Sequence, residues 1–373
     1  MMGFGRWPYH WCLMVSLLLA VSLTAILRWV APRVGMVDLP AGRKKHSRPM
    51  PLLGGVGVYL AAVGSYALFA RLDHRALWLI AGASVVLVLG LLDDRLALRA
   101  RFRLAVQLVS AGGIVAAGVH FDWFPWPVAD YAVSILWLVG LVNAINCLDC
   151  ADGIAAGVGA IAAGAFFFVA IANGHFAVAL MAIGLLGGCV GFLAFNFPPA
   201  SIFLGDAGSA SLGFLLGGLA IASSLGTPPL QQAWIAALPL AIPICDIAMV
   251  HLRRYRAGTR NLRDLVESSG RDHLPHRLER LGLPPRQVAA TVYLMAVLLA
   301  VPAVLMVDHQ LVTLPLAVGI ALLTLIAGER GFGALVARLS RVGRRAPAAA
   351  RVIPMPTETV SVQARSAASP GFE

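Results

Sequence analysis

An all-α, polytopic integral membrane protein is the fold class this sequence predicts, and three observations predict it. Of the 373 residues, 59% are hydrophobic and only 13% are charged, against about 25% charged in soluble domains. Apolar runs recur at the length, ~20 residues, that crosses ~30 Å of hydrocarbon as a helix. The basic residues collect between alternate runs, which marks a fixed orientation in a bilayer.

Eleven runs are found, at approximately 12–31, 52–70, 76–92, 104–120, 131–147, 153–173, 176–195, 208–225, 232–250, 288–307 and 310–327. They predict about 10–11 transmembrane helices. The first, "CLMVSLLLAVSLTAILRWVA", is too long for a signal-peptide core and has no small-residue cleavage site before the basic loop that follows, so it reads as a retained helix. Placing the loop 32–51 inside assigns five Lys/Arg to it, four to 93–103, nine to 251–287 and seven to 328–373, or 25 of 29 on one side. That asymmetry sets the N-terminus outside and the C-terminus in the cytoplasm, as in an inner (cytoplasmic) membrane. The net charge of +11 is thus first a matter of topology, with anionic lipid or phosphate substrates as a second use, and it argues against a nucleic-acid partner. Residues 1–330 form one multi-helix domain on this reading. The Ala-, Pro-, Ser- and Arg-rich stretch 331–373 reads as a basic, disordered cytoplasmic tail.

The outer connections are short, and Trp123, Phe124 and Trp126 in one of them suit an interfacial aromatic belt. Polar chemistry is concentrated in the inner connections 32–51, 93–103, 143–153, 196–208 and 251–287. Loops on one face, each with ionisable or amide groups, describe one site assembled from several helices. Asp93 and Asp94 close the third run as "GLLDDR". An acidic pair at a helix C-terminus opposes the helix dipole and carries its own repulsion, so a plain interfacial helix end competes poorly with a site. Asn143, Asn146, Asp149 and Asp152 recur at every third position of "NAINCLDCADG". Each step drifts about 60° on a helix, so a helix ending near Leu148 and opening into a turn is needed to bring the four together. In "FLGDAGSASLG", Asp206 stands between Gly205 and Gly208 just before an apolar run, either as an N-cap or as a ligand to something that approaches the backbone closely. His273 and His276 in "RDHLPHRLERLGL" fit a phosphate pocket or a solvated basic loop.

Cys147 and Cys150 raise the alternative of a thiol site. A Cys-x-x-Cys pair supplies two soft ligands where structural zinc needs four, and Cys12, Cys189 and Cys245 lie in other apolar runs. The nearby carboxylates and amides are hard oxygen donors suited to Mg²⁺ or Mn²⁺. The oxygen site is the expectation, with the two cysteines as packing residues.

Taken in order, "VDLPAGRKKHSRPMPLLGG", "LLDDR" with "RFRLAVQ", "NAINCLDCADG", "FNFPPASIFLGDAGS", "PICD" and "RDHLPHRL" resemble the polyprenyl-phosphate N-acetylhexosamine-1-phosphate transferase family, in its WecA/TagO-like branch rather than the muramoyl-pentapeptide branch. The resemblance spans about residues 33 to 285. It implies Mg²⁺-dependent transfer of a sugar-1-phosphate, GlcNAc-1-phosphate foremost, from a UDP-N-acetylhexosamine to undecaprenyl phosphate, with release of UMP and initiation of a cell-surface polysaccharide. On the matching positions it implies that Asn146 and Asp206 hold the metal and that Asp93 and Asp94 serve the lipid phosphate, with Asp93, Asp94 and Asp206 as the catalytic set. Lys45, Arg103, Asn143, Asp149, Asp152, Arg271, His273 and His276 would bind substrate. Cys150 stands where the family has the first glycine of Asp-Gly-x-Asp-Gly, Pro275 where it has a middle histidine, and Arg103 where many members have lysine. A catalytically silent member and a polytopic transporter are the alternatives, though a transporter would place ionisable groups near the bilayer midplane. Which sugar is transferred and whether the chain forms a homodimer are left open by the sequence.

Overall fold

The computed structural model describes residues 8–40, 48–71, 73–256, 258 and 272–307. Twelve helices stand among them: α1 (Pro8–Val30), α2 (Gly54–Phe69), α3 (His74–Leu96), α4 (Ala100–Ala116), α5 (Pro127–Leu148), α6 (Ile154–Ala172), α7 (Phe176–Asn196), α8 (Gly205–Ser224), α9 (Pro229–Ala237), α10 (Ala241–Arg256), α11 (Leu274–Arg280) and α12 (Pro285–Leu305). The only strand pairing among the described residues is a two-residue antiparallel contact of β1 (Val37–Asp38) with β2 (Met50–Pro51). The chain is therefore all-α and multi-pass, as its composition predicts. Among the described residues seven helices are long and apolar enough to cross a membrane, or eight if the bent pair α9–α10 counts as one span.

Ten of the eleven predicted runs fall on helices, and the eleventh, 310–327, lies outside the described residues, as do Lys45, Arg271 and the tail 331–373. Two runs differ in form. The run 232–250 is not one rod: α9 and α10 meet at an 80° bend. Pro239 lies in the break and Pro243 in the first turn of α10, where a missing N–H and a fixed φ end one helix and suit the start of another. The run 104–120 begins as a helix earlier, at Ala100, which places Arg103 in the first turn of α4.

Helix α8 is the axis of the bundle. Every residue of α8 but Asp206 is buried, and α2, α3, α5 and α6 all pack on it. This closeness needs small residues. A Cβ on Gly55 would come within 1.9 Å of the Gly208 Cα, and one on Gly90 within 2.3 Å of the Ala207 Cα, so α2 and α3 touch the first turn of α8 backbone to backbone. On α1, by contrast, Trp11, Leu18, Ile26 and Trp29 are exposed, as befits a face turned to lipid. At the other end of the bundle from the site, Asp130 ties down the predicted aromatic belt by accepting the Trp123 and Phe124 amides at 2.8 and 3.1 Å.

The ends that carry the polar loops are stitched together. Phe203 N donates to Pro51 O at 2.8 Å, Gly54 N to Phe203 O at 3.0 Å and Gly55 N to Leu204 O at 2.9 Å. Ala200 N donates to Asp152 Oδ2 at 2.9 Å, and Arg286 Nε to Pro198 O at 2.9 Å. The C-terminal ends of α3, α5 and α7 thereby meet the N-terminal ends of α2, α4, α8 and α12.

Candidate active site

The site is built around the first turn of α8. Gly205 adopts φ +76°, and a Cβ there would meet Leu52 O at 2.4 Å and Asp94 Oδ2 at 2.9 Å, so the chain enters α8 by a route that only glycine takes easily. The residue before the helix is Leu204, which has no capping side chain. The cap comes instead from α3: Asp94 Oδ1 accepts Asp206 N at 3.0 Å and Oδ2 accepts Ala207 N at 3.3 Å. One carboxylate so satisfies two of the four N–H groups that a helix start leaves free. It also releases the Asp206 side chain from capping its own helix.

Asp206 uses that freedom to reach α5. Its Oδ1 accepts Asn146 Nδ2 at 2.9 Å, and the same amide nitrogen donates to Ser209 Oγ at 2.8 Å. The Asp93 carboxyl also faces that of Asp206. Asp93 pairs with the Arg103 guanidinium through Oδ2 and accepts Leu98 N through Oδ1 at 2.7 Å. Asp93, Asp94, Asn146 and Asp206, expected from the sequence to meet, are within touching distance.

The four polar positions of "NAINCLDCADG" do not share one face. Asn143 Nδ2 donates to Gln107 Oε1 on α4 at 3.0 Å and to Val139 O at 2.8 Å. Asn146 turns to α8. Asp152 holds the 196–204 loop through Ala200. Asp149 follows the last residue of α5, partly buried, and burial foremost, then the Asp206, Asp94 and Asp152 carboxylates, push its carboxyl well above the usual range. The turn itself is clamped at Gly153, whose N–H donates to Asn196 Oδ1 at 2.9 Å and whose carbonyl accepts Tyr293 Oη at 2.7 Å.

His273 and His276 begin α11. His273 is 8% exposed and its Nδ1 lies 2.7 Å from Asp246 Oδ2, so the solvated-loop alternative does not describe it. His276 Nδ1 pairs with Glu279 Oε2 at 3.0 Å within the same helix. Asp246, Gln107, Ser209, Asn196 and Tyr293 escaped the sequence-level site set. Gln107, Asn196, Ser209 and Asp246 stand in the motifs quoted above without a role of their own, and Asp246 is further marked as a carboxylate inside the apolar run 232–250.

Among the described residues, no group of three His, Cys, Asp or Glu side chains is arranged to hold a metal. For the thiols the reason is plain. Burial first, and the Asp246 and Asp149 carboxylates after it, push the Cys150 thiol far up, and a protonated thiol is a poor ligand. The double substitution Cys147→Ser with Cys150→Ser is expected to retain much of the UMP release of the native chain, since the bonds that tie Asp94, Asn146, Asp206 and Ser209 together involve neither thiol; a silent double variant with an intact fold would restore the thiol reading.

Comparison with known proteins points the same way. Residues 76–224 match the model of glycosyl transferase family 4. A probable undecaprenyl-phosphate N-acetylglucosaminyl 1-phosphate transferase of Bacillus subtilis (strain 168) is 30% identical over 302 residues, covering 78% of this chain and 83% of that protein. A decaprenyl-phosphate N-acetylglucosaminephosphotransferase of Mycobacterium tuberculosis (strain ATCC 25618 / H37Rv) is 32% identical over 314 residues, 73% of this chain and 76% of that one. An undecaprenyl-phosphate alpha-N-acetylglucosaminyl 1-phosphate transferase of Yersinia pestis is 27% identical over 307 residues, 77% and 81% of the two chains. A multi-pass helical bundle with an acidic and amide cluster at one end is thus a membrane-embedded transferase by class. The chain belongs to glycosyl transferase family 4, among the polyprenyl-phosphate N-acetylhexosamine-1-phosphate transferases.

Proposed function

We propose that this enzyme transfers N-acetylglucosamine-1-phosphate from UDP-GlcNAc to undecaprenyl phosphate, releasing UMP and starting a cell-surface polysaccharide, at the cytoplasmic face of the inner membrane. The observation that carries this reading is the contact of Asn146 with Asp206 beside Asp93 and Asp94. One substrate is a lipid and the other a cytosolic nucleotide, so the chemistry belongs where helix ends meet the basic loops.

The donor set fits a hard divalent cation. Asp206 Oδ1 and Ser209 Oγ converge on the Asn146 amide, whose own oxygen belongs to the same group, and the Asp93 and Asp94 carboxyls stand beside them. One carboxylate and one amide suffice for Mg²⁺, which keeps several waters and completes its shell with substrate phosphates. Asn146 and Asp206 are the residues that would hold it, and Mn²⁺ shares the preference. When bound, the ion supplies positive charge at the pyrophosphate.

The chain's own residues supply placement. In the transfer, an oxygen of the lipid phosphate bonds to the sugar-bearing phosphorus while the bond from that phosphorus to the bridging oxygen breaks, and the electron pair leaves with UMP. A phosphomonoester has its second pKa near about 6, so at neutral pH little proton removal is needed. Asp93 accordingly aims Arg103, whose planar donors suit phosphate oxygens, at the lipid headgroup. Asp94 holds the start of α8, and with it Asp206, in line. Asn143, Asp149, Asp152, His273 and His276 shape the nucleotide-sugar pocket; Lys45 and Arg271, expected from the sequence to bind substrate, lie outside the described residues.

Purified protein incubated with undecaprenyl phosphate, Mg²⁺ and a panel of UDP-N-acetylhexosamines should release UMP, fastest with UDP-GlcNAc. Turnover with none of them would favour a silent family member.

A further inference from the structure

Two helix starts at this end of the bundle are capped by a carboxylate from elsewhere in the chain. Asp94 does so for α8, as described above. Asp246 does so for α11: its Oδ1 accepts Leu274 N at 2.6 Å, while His273, which precedes the helix, has no capping side-chain bond. The second oxygen of Asp246 does more. It lies 2.7 Å from His273 Nδ1, and both residues are buried, at 6% and 8% exposure.

A carboxylate at that distance accepts the Nδ1–H and so fixes which imidazole nitrogen carries the proton and how the ring is turned. The other nitrogen, Nε2, makes no hydrogen bond among the described residues and is the one left for a ligand. Asp246 sits in α10, which packs on α5 and α12, so the ring's orientation is referred to the rigid bundle rather than to the loop that precedes it. Because α10 packs on α5, the Asp246–His273 pair stands at the end of the bundle where α5 opens into the turn carrying Asp149.

We propose that Asp246 is a positioning residue of the transferase site, holding the His273 ring through Nδ1 so that Nε2 is presented to a phosphate oxygen of the nucleotide sugar. The inference rests on the placement of His273 in the nucleotide-sugar pocket. It assigns Asp246 no contact with substrate. Its action passes through the ring, and it differs from a plain helix cap in that its value depends on the histidine.

A double-mutant cycle separates these. His273→Gln and Asp246→Asn should each lower kcat/KM for UDP-GlcNAc by about tenfold or more, with KM for undecaprenyl phosphate unmoved, and the double variant should be no slower than the slower single one, as for residues acting as a unit. If Asp246→Asn costs the same factor with and without His273, Asp246 only caps α11 and the proposal falls. If His273→Gln has no effect while UMP release persists, His273 is outside the pocket and the proposal falls without touching the transferase reading; loss of all turnover in the native chain would instead sink that reading. Should Asp246→Asn fail to fold, a long-range proton–nitrogen spectrum of histidine-labelled native protein, with His273 assigned by His273→Gln, decides. A proton on Nδ1 supports the proposal, and a ring protonated at Nε2 alone overturns it.

Discussion

Asp206→Asn is expected to lower metal-dependent UMP release by roughly 10²–10³-fold, the scale on which removing one preorganised electrostatic group costs an enzyme. The substitution is nearly isosteric. Asn keeps an oxygen that can accept the Asn146 Nδ2 hydrogen now 2.9 Å from Asp206 Oδ1, and the Asp94 cap binds the backbone N–H of residue 206, not its side chain. The fold should therefore survive, with the unfolding temperature in detergent close to native. What disappears is the negative charge that makes the point attractive to a divalent cation. A variant that retained full metal-dependent turnover would remove Asp206 from the site.

Asp94→Ala should act by a different route and nearly as strongly. It leaves the N–H groups of Asp206 and Ala207 without their acceptor, and losing such a cap costs about 1 kcal/mol, more where the donors stay buried. The first turn of α8 would relax, and Asp206 with it. A displacement on the order of 1 Å at a reacting centre is enough to cost about 10²-fold, and that loss in kcat is the expected result. Asp94→Asn discriminates the cause. It preserves one carbonyl acceptor, so if Asp94 serves by placement, activity recovers part of the way toward native. An essential proton acceptor would be as dead as asparagine as it is as alanine.

Much of the site was legible in the sequence because it is made of expensive residues in cheap surroundings. Asp93, Asp94, Asn146 and Asp206 stand at the ends of apolar runs, where a polar group needs a reason, and the structure brings all four together. What could not be read was the division of labour. Whether Asp206 caps its own helix or is freed by Asp94 depends on the register of α3 against α8 across 112 residues, which no local pattern encodes. Asn143, Asn146 and Asp152 belong to a series at every third position, yet each finds a different neighbour on α4, on α8 and in the 196–204 loop. Spacing reports a helical face, and a helix end has none. The run 232–250 shows the converse: its hydropathy reads as one span, while Pro239 and the 80° bend place Asp246 close to His273 rather than at a simple helix end.

The most direct test follows the phosphorus. With UDP-GlcNAc radiolabelled at the β-phosphorus, undecaprenyl phosphate and Mg²⁺, the purified chain should move the label into the organic phase in equal amount to the UMP released. Label that stays in water as UDP while sugar enters the lipid would mean that the bond broken is the glycosidic one, and the transfer of a sugar-1-phosphate by this site would be contradicted.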